Sequence, residues 1–138
     1  MDEVFKSIYV GTESDANDES LLRNHGVDVV ISLTHSNPET GDIALVDVPM
    51  VDGPQNSYQA FAEAVETVVG HRENDRCVLV HCSAGSSRSP SVAAAAIPRL
   101  SDTTLDEAFE QILERRPETD PHDALVRQAV KITREGSG

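Results

Sequence analysis

Apolar positions along the chain fall into two kinds of run. Residues 27–34 (Val-Asp-Val-Val-Ile-Ser-Leu-Thr), 43–51 and 78–80 are short, mostly apolar stretches that suit buried strands, and residues 7–12 alternate enough to form a first strand. Elsewhere the spacing is helical. Phe61, Ala64, Val65, Val68 and Val69 mark one face of a helix over residues 58–71, and Leu105, Ala108, Phe109, Ile112 and Leu113 mark another. That second helix opens on the capping-box spacing Thr104 to Glu107 and runs to about Arg116 before Pro117. Leu125, Ala129, Val130 and Ile132 form the stripe of a last helix, started by Asp120-Pro121. Residues 13–20 read as a solvated turn leading into a short helix around 20–24, which closes at His25-Gly26. A helix over 91–99 carries an alanine run, Ala93 to Ala96, that permits close approach to a sheet, and Pro98 is expected to end it about a turn early. Alternation of strands and helices predicts one α/β domain over residues 1–138, with a mainly parallel central sheet of about four to five strands and helices on both faces.

One joint between these elements carries chemistry. Residues 78–91 read Val-Leu-Val-His-Cys-Ser-Ala-Gly-Ser-Ser-Arg-Ser-Pro-Ser, a strand, a loop and then a helix start at Ser89-Pro90. A loop bending onto a helix N-terminus points backbone N–H groups inward at the positive end of the helix dipole, which makes a cup for a phosphate dianion. Ser83, Ala84, Gly85, Ser86, Ser87 and Arg88 supply it, with Gly85 allowing the turn and Arg88 offering a planar fork for two phosphate oxygens. Cys82 sits at the base, where the field that attracts phosphate also favours a thiolate nucleophile. The Ser89 hydroxyl is placed to hydrogen-bond that sulfur, besides suiting a helix N-cap. His81 reads as an orienter of the loop.

The run His81-Cys82-Ser83-Ala84-Gly85-Ser86-Ser87-Arg88-Ser89 resembles the signature of cysteine-dependent protein phosphatases, in their dual-specificity branch. Gly26 followed by Val30-Ile31-Ser32-Leu33-Thr34 extends the resemblance upstream, and Arg116-Pro117 with the following turn extends it downstream. An Asn-aromatic pair usual after that turn is replaced here by His122-Asp123, which puts in question the polar contact that the Asn would make. The resemblance implies a general acid about thirty residues before the Cys, on a polar loop followed by a helix with a Phe. Asp52, then Gln55-Asn56-Ser57 and Phe61, matches; Asp47, inside an apolar run, is the competitor. It implies a phosphocysteine mechanism on a phosphorylated protein or peptide, phosphotyrosine first and phosphoserine or phosphothreonine besides, with no cofactor and no metal. Two readings stand beside it: a phosphate-binding pseudo-phosphatase module without turnover, and arsenate reduction or sulfur transfer on a Cys loop.

Charge narrows the setting. The 24 acidic residues outnumber 11 basic ones, for a formal net charge of -13, with Lys6 and Lys131 the only lysines. Such a coat suits a cytoplasm of molar salt and predicts a halophilic source, since screening removes self-repulsion. No basic cluster is available for nucleic acid or an anionic membrane surface, and no apolar segment reaches the length of a membrane span. The expectation is a cytoplasmic protein, with a monomer favoured. The variable loop positions Ser83, Ala84, Ser86 and Ser87 include no Lys, which argues against phosphoinositides and RNA 5'-triphosphates. Cys77 and Cys82 are five residues apart on one extended run, too far to bridge, so Cys77 is expected to be a small buried apolar residue.

Overall fold

The computed structural model describes residues 1–136. Five strands, β1 (Asp2–Phe5), β2 (Ile8–Gly11), β3 (Val29–Ser32), β4 (Ala44–Asp47) and β5 (Val78–His81), form one sheet in the order β1-β2-β5-β3-β4. Only β1 runs antiparallel to its neighbour. The expected α/β architecture with a mainly parallel sheet is therefore what the chain adopts.

β1 carries no apolar alternation and was not foreseen. It is held as the first arm of a tight hairpin through Lys6-Ser7, with Ser7 in the left-handed region at φ 60°, and its register shifts between Glu3 and Phe5. A second unforeseen element is α1 (Glu13–Ala16), in the stretch read as a solvated turn. Its capping box is present in the sequence: Thr12 Oγ1 accepts the Asp15 N–H at 3.1 Å and Asp15 Oδ2 accepts the Thr12 N–H at 2.9 Å.

The two faces of the sheet bury different cores. Ile8, Val10, Val29, Ile31, Val78 and Val80 face the larger one, packed by α3 (Tyr58–Glu73), α4 (Arg88–Leu100), α5 (Leu105–Arg115) and α6 (Asp123–Gly136). Val30 and Leu79 point the other way, onto Ala16 of α1, Leu22 of α2 (Glu19–Asn24) and Val27. The helical stripe on α3 is buried as the periodicity predicts. On α5 the outer end departs from it: Leu113 is half exposed, while Arg116, the C-cap, is buried. On α6, Val130 is only partly buried.

α4 lies at the centre of the helical layer, against α3, α5 and α6, and every residue from Ser89 to Ile97 is buried. The small side chains of Ala93 to Ala96 make that closeness possible. Two expectations about its ends are corrected. Pro98 does not stop it early, and the helix continues to Leu100. Proline in the last turn forfeits one hydrogen bond, and Ser101 closes the end by donating to the Ile97 carbonyl from its N–H at 3.0 Å and its hydroxyl at 3.2 Å. The helix also begins earlier than Ser89: Ser87 is the N-cap and Pro90 falls third in the first turn. A proline there costs nothing, because the first four N–H groups of a helix have no intrahelical acceptor.

Register decides where the loops gather. Gly11, His81, Ser32 and Asp47 stand in one row across β2, β5, β3 and β4. The chain segments that follow all four strands therefore leave the sheet along the same edge, the carboxyl edge, where ligand crevices form in parallel sheets.

Candidate active site

The loop from Cys82 to Ser87 rises from the end of central strand β5 and enters α4. Its carbonyls are taken one after another by donors outside it. Ser83 O accepts the Glu13 N–H at 3.2 Å, Ala84 O the Arg116 Nη2 at 3.3 Å, Gly85 O the Arg116 Nε at 2.7 Å, and Ser86 O the Asp120 N–H at 2.7 Å. In a trans peptide the N–H points opposite the C=O, so carbonyls pinned outward turn the following amides inward. The consequence is a loop whose amides face its interior, a shape that suits an anion.

Gly85 has φ 68°, and a Cβ there would stand 2.6 Å from Arg116 Nη2 and 2.7 Å from the Gly11 carbonyl oxygen. Glycine is required both for conformation and for the close approach of two backbones. Cys82 is anchored on the same strand end, its N–H donating to Gly11 O at 3.4 Å.

Cys82 is buried, and two groups of Ser89 reach its sulfur. The Ser89 hydroxyl lies 3.1 Å from Sγ and the Ser89 N–H donates to it at 3.4 Å. Because α4 begins at Arg88, that amide belongs to the first helical turn and lacks an intrahelical acceptor, so the sulfur takes a capping position. Arg88 is held from behind, one Nη1 donating to Met50 O at 3.1 Å and Leu33 O at 3.5 Å. These carbonyls follow β4 and β3 and aim the guanidinium along the carboxyl edge.

Asp52, exposed on the segment between β4 and α3, accepts the Ser87 hydroxyl at 2.6 Å through Oδ1. Asp47 instead ends β4 in the row with His81. The Asp52 segment is fastened to α6: Asn56 Oδ1 accepts the Val51 N–H at 2.9 Å, Asn56 Nδ2 donates to Gln128 Oε1 at 2.9 Å, and Gln128 Nε2 donates back to Asn56 O at 2.7 Å. Where the sequence left the contact of a missing Asn in question, the backbone supplies one, the His122 N–H donating to Ser87 Oγ at 2.8 Å.

His81 is fully buried, its Nδ1 3.4 Å from the Cys82 carbonyl, and its Nε2 has no hydrogen-bond partner among the described residues. Burial pushes this imidazole below its usual range, with Arg88 adding to the effect; the Cys82 carbonyl and the carboxylates of Glu13 and Asp47 oppose it. Both cysteines are free thiols; Cys77 is only partly buried, and burial beside Asp28 raises its thiol. Among the described residues no group of three or more His, Cys, Asp or Glu could hold a metal ion, and no helix is long and apolar enough to cross a membrane.

The model of the dual specificity phosphatase catalytic domain matches residues 8–135. The chain belongs to the dual specificity phosphatase family. Dual specificity protein phosphatase Mpk3 of Drosophila melanogaster is 28% identical over 130 residues, and tyrosine-protein phosphatase vhp-1 of Caenorhabditis elegans 32% over 130 residues. Each match takes in 91% of this chain but only 32% and 20% of those proteins, so the chain spans a third or less of their length. Among solved structures, human DUSP28 aligns with a TM-score of 0.90 at 22% identity, covering 99% of this chain and 98% of that one. Human tyrosine phosphatase-like serine/threonine/tyrosine-interacting protein aligns with a TM-score of 0.87 at 23% identity, covering 100% and 98%. These likenesses establish the dual specificity phosphatase fold.

Arg116 is the residue of this domain that sequence reading passed over as a helix terminator. Besides its two loop carbonyls it pairs with Asp2 of β1 at 2.6 Å, and it is 4% exposed. Only its adjacency to Pro117 at a place resembling the family could have singled it out. Replacing it with Ala leaves two carbonyls and a carboxylate without their donor, and should cost about 3 kcal/mol of stability in a denaturant titration. Inorganic phosphate should bind about tenfold or more weakly by calorimetry, with Arg116→Lys no remedy because a point charge cannot span both carbonyls. Unchanged phosphate affinity in a folded Arg116→Ala would show that the carbonyls do not need it.

His81 ties stability to pH. Its folded-state value is depressed, so below about pH 6.5 the unfolded chain binds a proton that the folded chain refuses. Its contribution is whole above that pH and is lost as pH falls through it. The urea midpoint should drop between about pH 7.5 and pH 5.5, less steeply in His81→Gln; equal slopes in the two proteins would remove His81 as the cause.

Proposed function

We propose that this chain hydrolyses phosphomonoesters of proteins, phosphotyrosine first and phosphoserine or phosphothreonine besides, through a cysteinyl-phosphate. The observation that carries the reading is the pair of contacts on Cys82 Sγ, from the Ser89 hydroxyl and the Ser89 N–H at the start of α4. They fix the sulfur at the foot of the cup, where the first-turn amide of α4 and the Ser89 hydroxyl both reach it, in place for in-line attack.

In the first step the Cys82 thiolate attacks phosphorus in line and the P–O ester bond breaks. Asp52 as general acid gives its proton to the departing oxygen. In the second step the Asp52 carboxylate takes a proton from water, the resulting hydroxide attacks phosphorus, and the S–P bond breaks to release inorganic phosphate and the thiolate. The Ser89 hydroxyl donates to the sulfur as it leaves. Arg88 and the inward amides of residues 83–88 hold the equatorial oxygens as charge spreads over them. His81 acts by orienting the loop from beneath.

The absence of Lys among Ser83, Ala84, Ser86 and Ser87 supports a single phosphate on a protein side chain over a polyphosphorylated ligand. A pseudo-phosphatase that binds without turnover uses the same cup, and activity separates the two. Wild type should hydrolyse an aryl phosphate without added metal, Cys82→Ser should lose turnover, and Asp52→Asn should fall by about a hundredfold. Folded wild type that binds phosphate but turns nothing over would establish the binding module instead.

The acidic balance supports a protein suited to molar salt. Coulomb repulsion between a surface of net charge -13 and a phosphorylated substrate weakens as the Debye length shrinks to about 3 Å. Turnover should therefore rise from dilute buffer to about 1 M KCl; a flat or falling profile with the fold intact, checked by circular dichroism, would speak against it.

A further inference from the structure

Ser87 is the N-cap of α4, yet its hydroxyl does not cap the helix. Its carbonyl serves the first turn, accepting the Ser91 N–H at 3.1 Å and the Ser91 hydroxyl at 2.8 Å. The hydroxyl accepts the His122 N–H at 2.8 Å and donates to Asp52 Oδ1 at 2.6 Å. A hydroxyl has one proton, and an amide N–H can only donate. An ionised carboxylate can only accept, so the Ser87 proton lies on Asp52, while the His122 N–H fills a lone pair of the same hydroxyl and holds it in place.

That His122 donor is itself held. His122 Nδ1 accepts the Ala124 N–H at 3.0 Å and the His122 carbonyl accepts the Leu125 N–H at 2.9 Å, which folds the turn ahead of α6. Ser87 is 7% exposed, so solvent competes little for its hydroxyl. Asp52, by contrast, is exposed and would sample several rotamers in water. The Asn56–Gln128 pair holds the main chain of its segment but does not touch its carboxylate.

Resting on the Asp52 assignment above, we propose that Ser87 is a positioning residue for the acid step. By occupying Oδ1 it fixes the side-chain rotamer and leaves Oδ2 as the oxygen that carries the proton to the leaving group. With Oδ1 engaged by the hydroxyl, the acid is presented from one defined atom. The same bond holds the ionised carboxylate for its second task, accepting a proton from water. The phosphate loop thus sets the acid through a side chain, while its amides set the phosphate.

The test is the dependence of kcat/KM on leaving-group pKa, over aryl phosphates from 2,4-dinitrophenyl to phenyl. A working general acid flattens that dependence. In Ser87→Ala, phenyl phosphate should lose about tenfold and 2,4-dinitrophenyl phosphate under about twofold, while inorganic phosphate still binds. Ser87→Thr, which keeps the donor, should restore the flat dependence. In an Asp52→Asn background Ser87→Ala should add under about twofold. Should Ser87→Ala not fold, Ser87→Cys reads the same slope with a weaker donor at nearly the same volume. An equal loss on every leaving group, an unchanged slope, or full additivity with Asp52→Asn overturns the proposal. If Asp52→Asn itself leaves the slope at its wild-type value, the acid assignment fails first, which is a separate result.

Discussion

The structure depends on the outward pinning of four consecutive carbonyls, from Ser83 to Ser86. A six-residue turn has no ladder of its own to hold its peptide planes. Left free, it would settle with amides and carbonyls mixed on either side, and a cup with carbonyls facing in repels an anion. Donors from three places prevent this: the first residue of α1, the C-cap of α5, and the turn before α6. Helices distant in sequence are thus the outer wall of the site, and packing of α5 and α6 against α4 is what brings their donors within reach.

Charge is distributed to the same end. In a chain with 24 acidic and 11 basic residues, two arginines stand at the loop, each tied to main-chain carbonyls. Arg88 is aimed by carbonyls at the ends of β3 and β4, and Arg116 bridges the loop to Asp2 on the edge strand. Fixing a guanidinium by backbone acceptors removes its rotamer freedom before an anion arrives, so less entropy is lost on binding. The edge strand, which buries Val4 in the core, also contributes the carboxylate that completes the Arg116 contacts.

Two layers of hydrogen bonding run from α6 toward the chemistry. Gln128 reaches Asn56 and through it the segment bearing Asp52, and the turn at His122 reaches Ser87. The Cys82 sulfur is reached from the other direction, by Ser89 at the head of α4. The Cys82 sulfur is thus held from α4, the main chain beside Asp52 from α6, and Ser87, the N-cap of α4, joins the Asp52 carboxylate to the turn before α6.

Much of this was legible in the chain. Short apolar runs located the parallel strands and a period of 3.6 the long helices, because each buries one face or both regardless of what it packs on. The turn from His81 to Ser89 was legible because its residue types serve the site directly. What the sequence could not decide were features whose reason lies across the fold. β1 has no apolar alternation and exists by pairing with β2; Pro98 is tolerated because it falls in a last turn that Ser101 closes. Arg116 read as the end of a helix until tertiary packing buried it against the loop, and Ser87 read as a loop amide until its hydroxyl met Asp52 and His122. Local chemistry is written in neighbouring residues, whereas a hydrogen bond spanning 31 or 35 positions exists only once the chain has closed on itself.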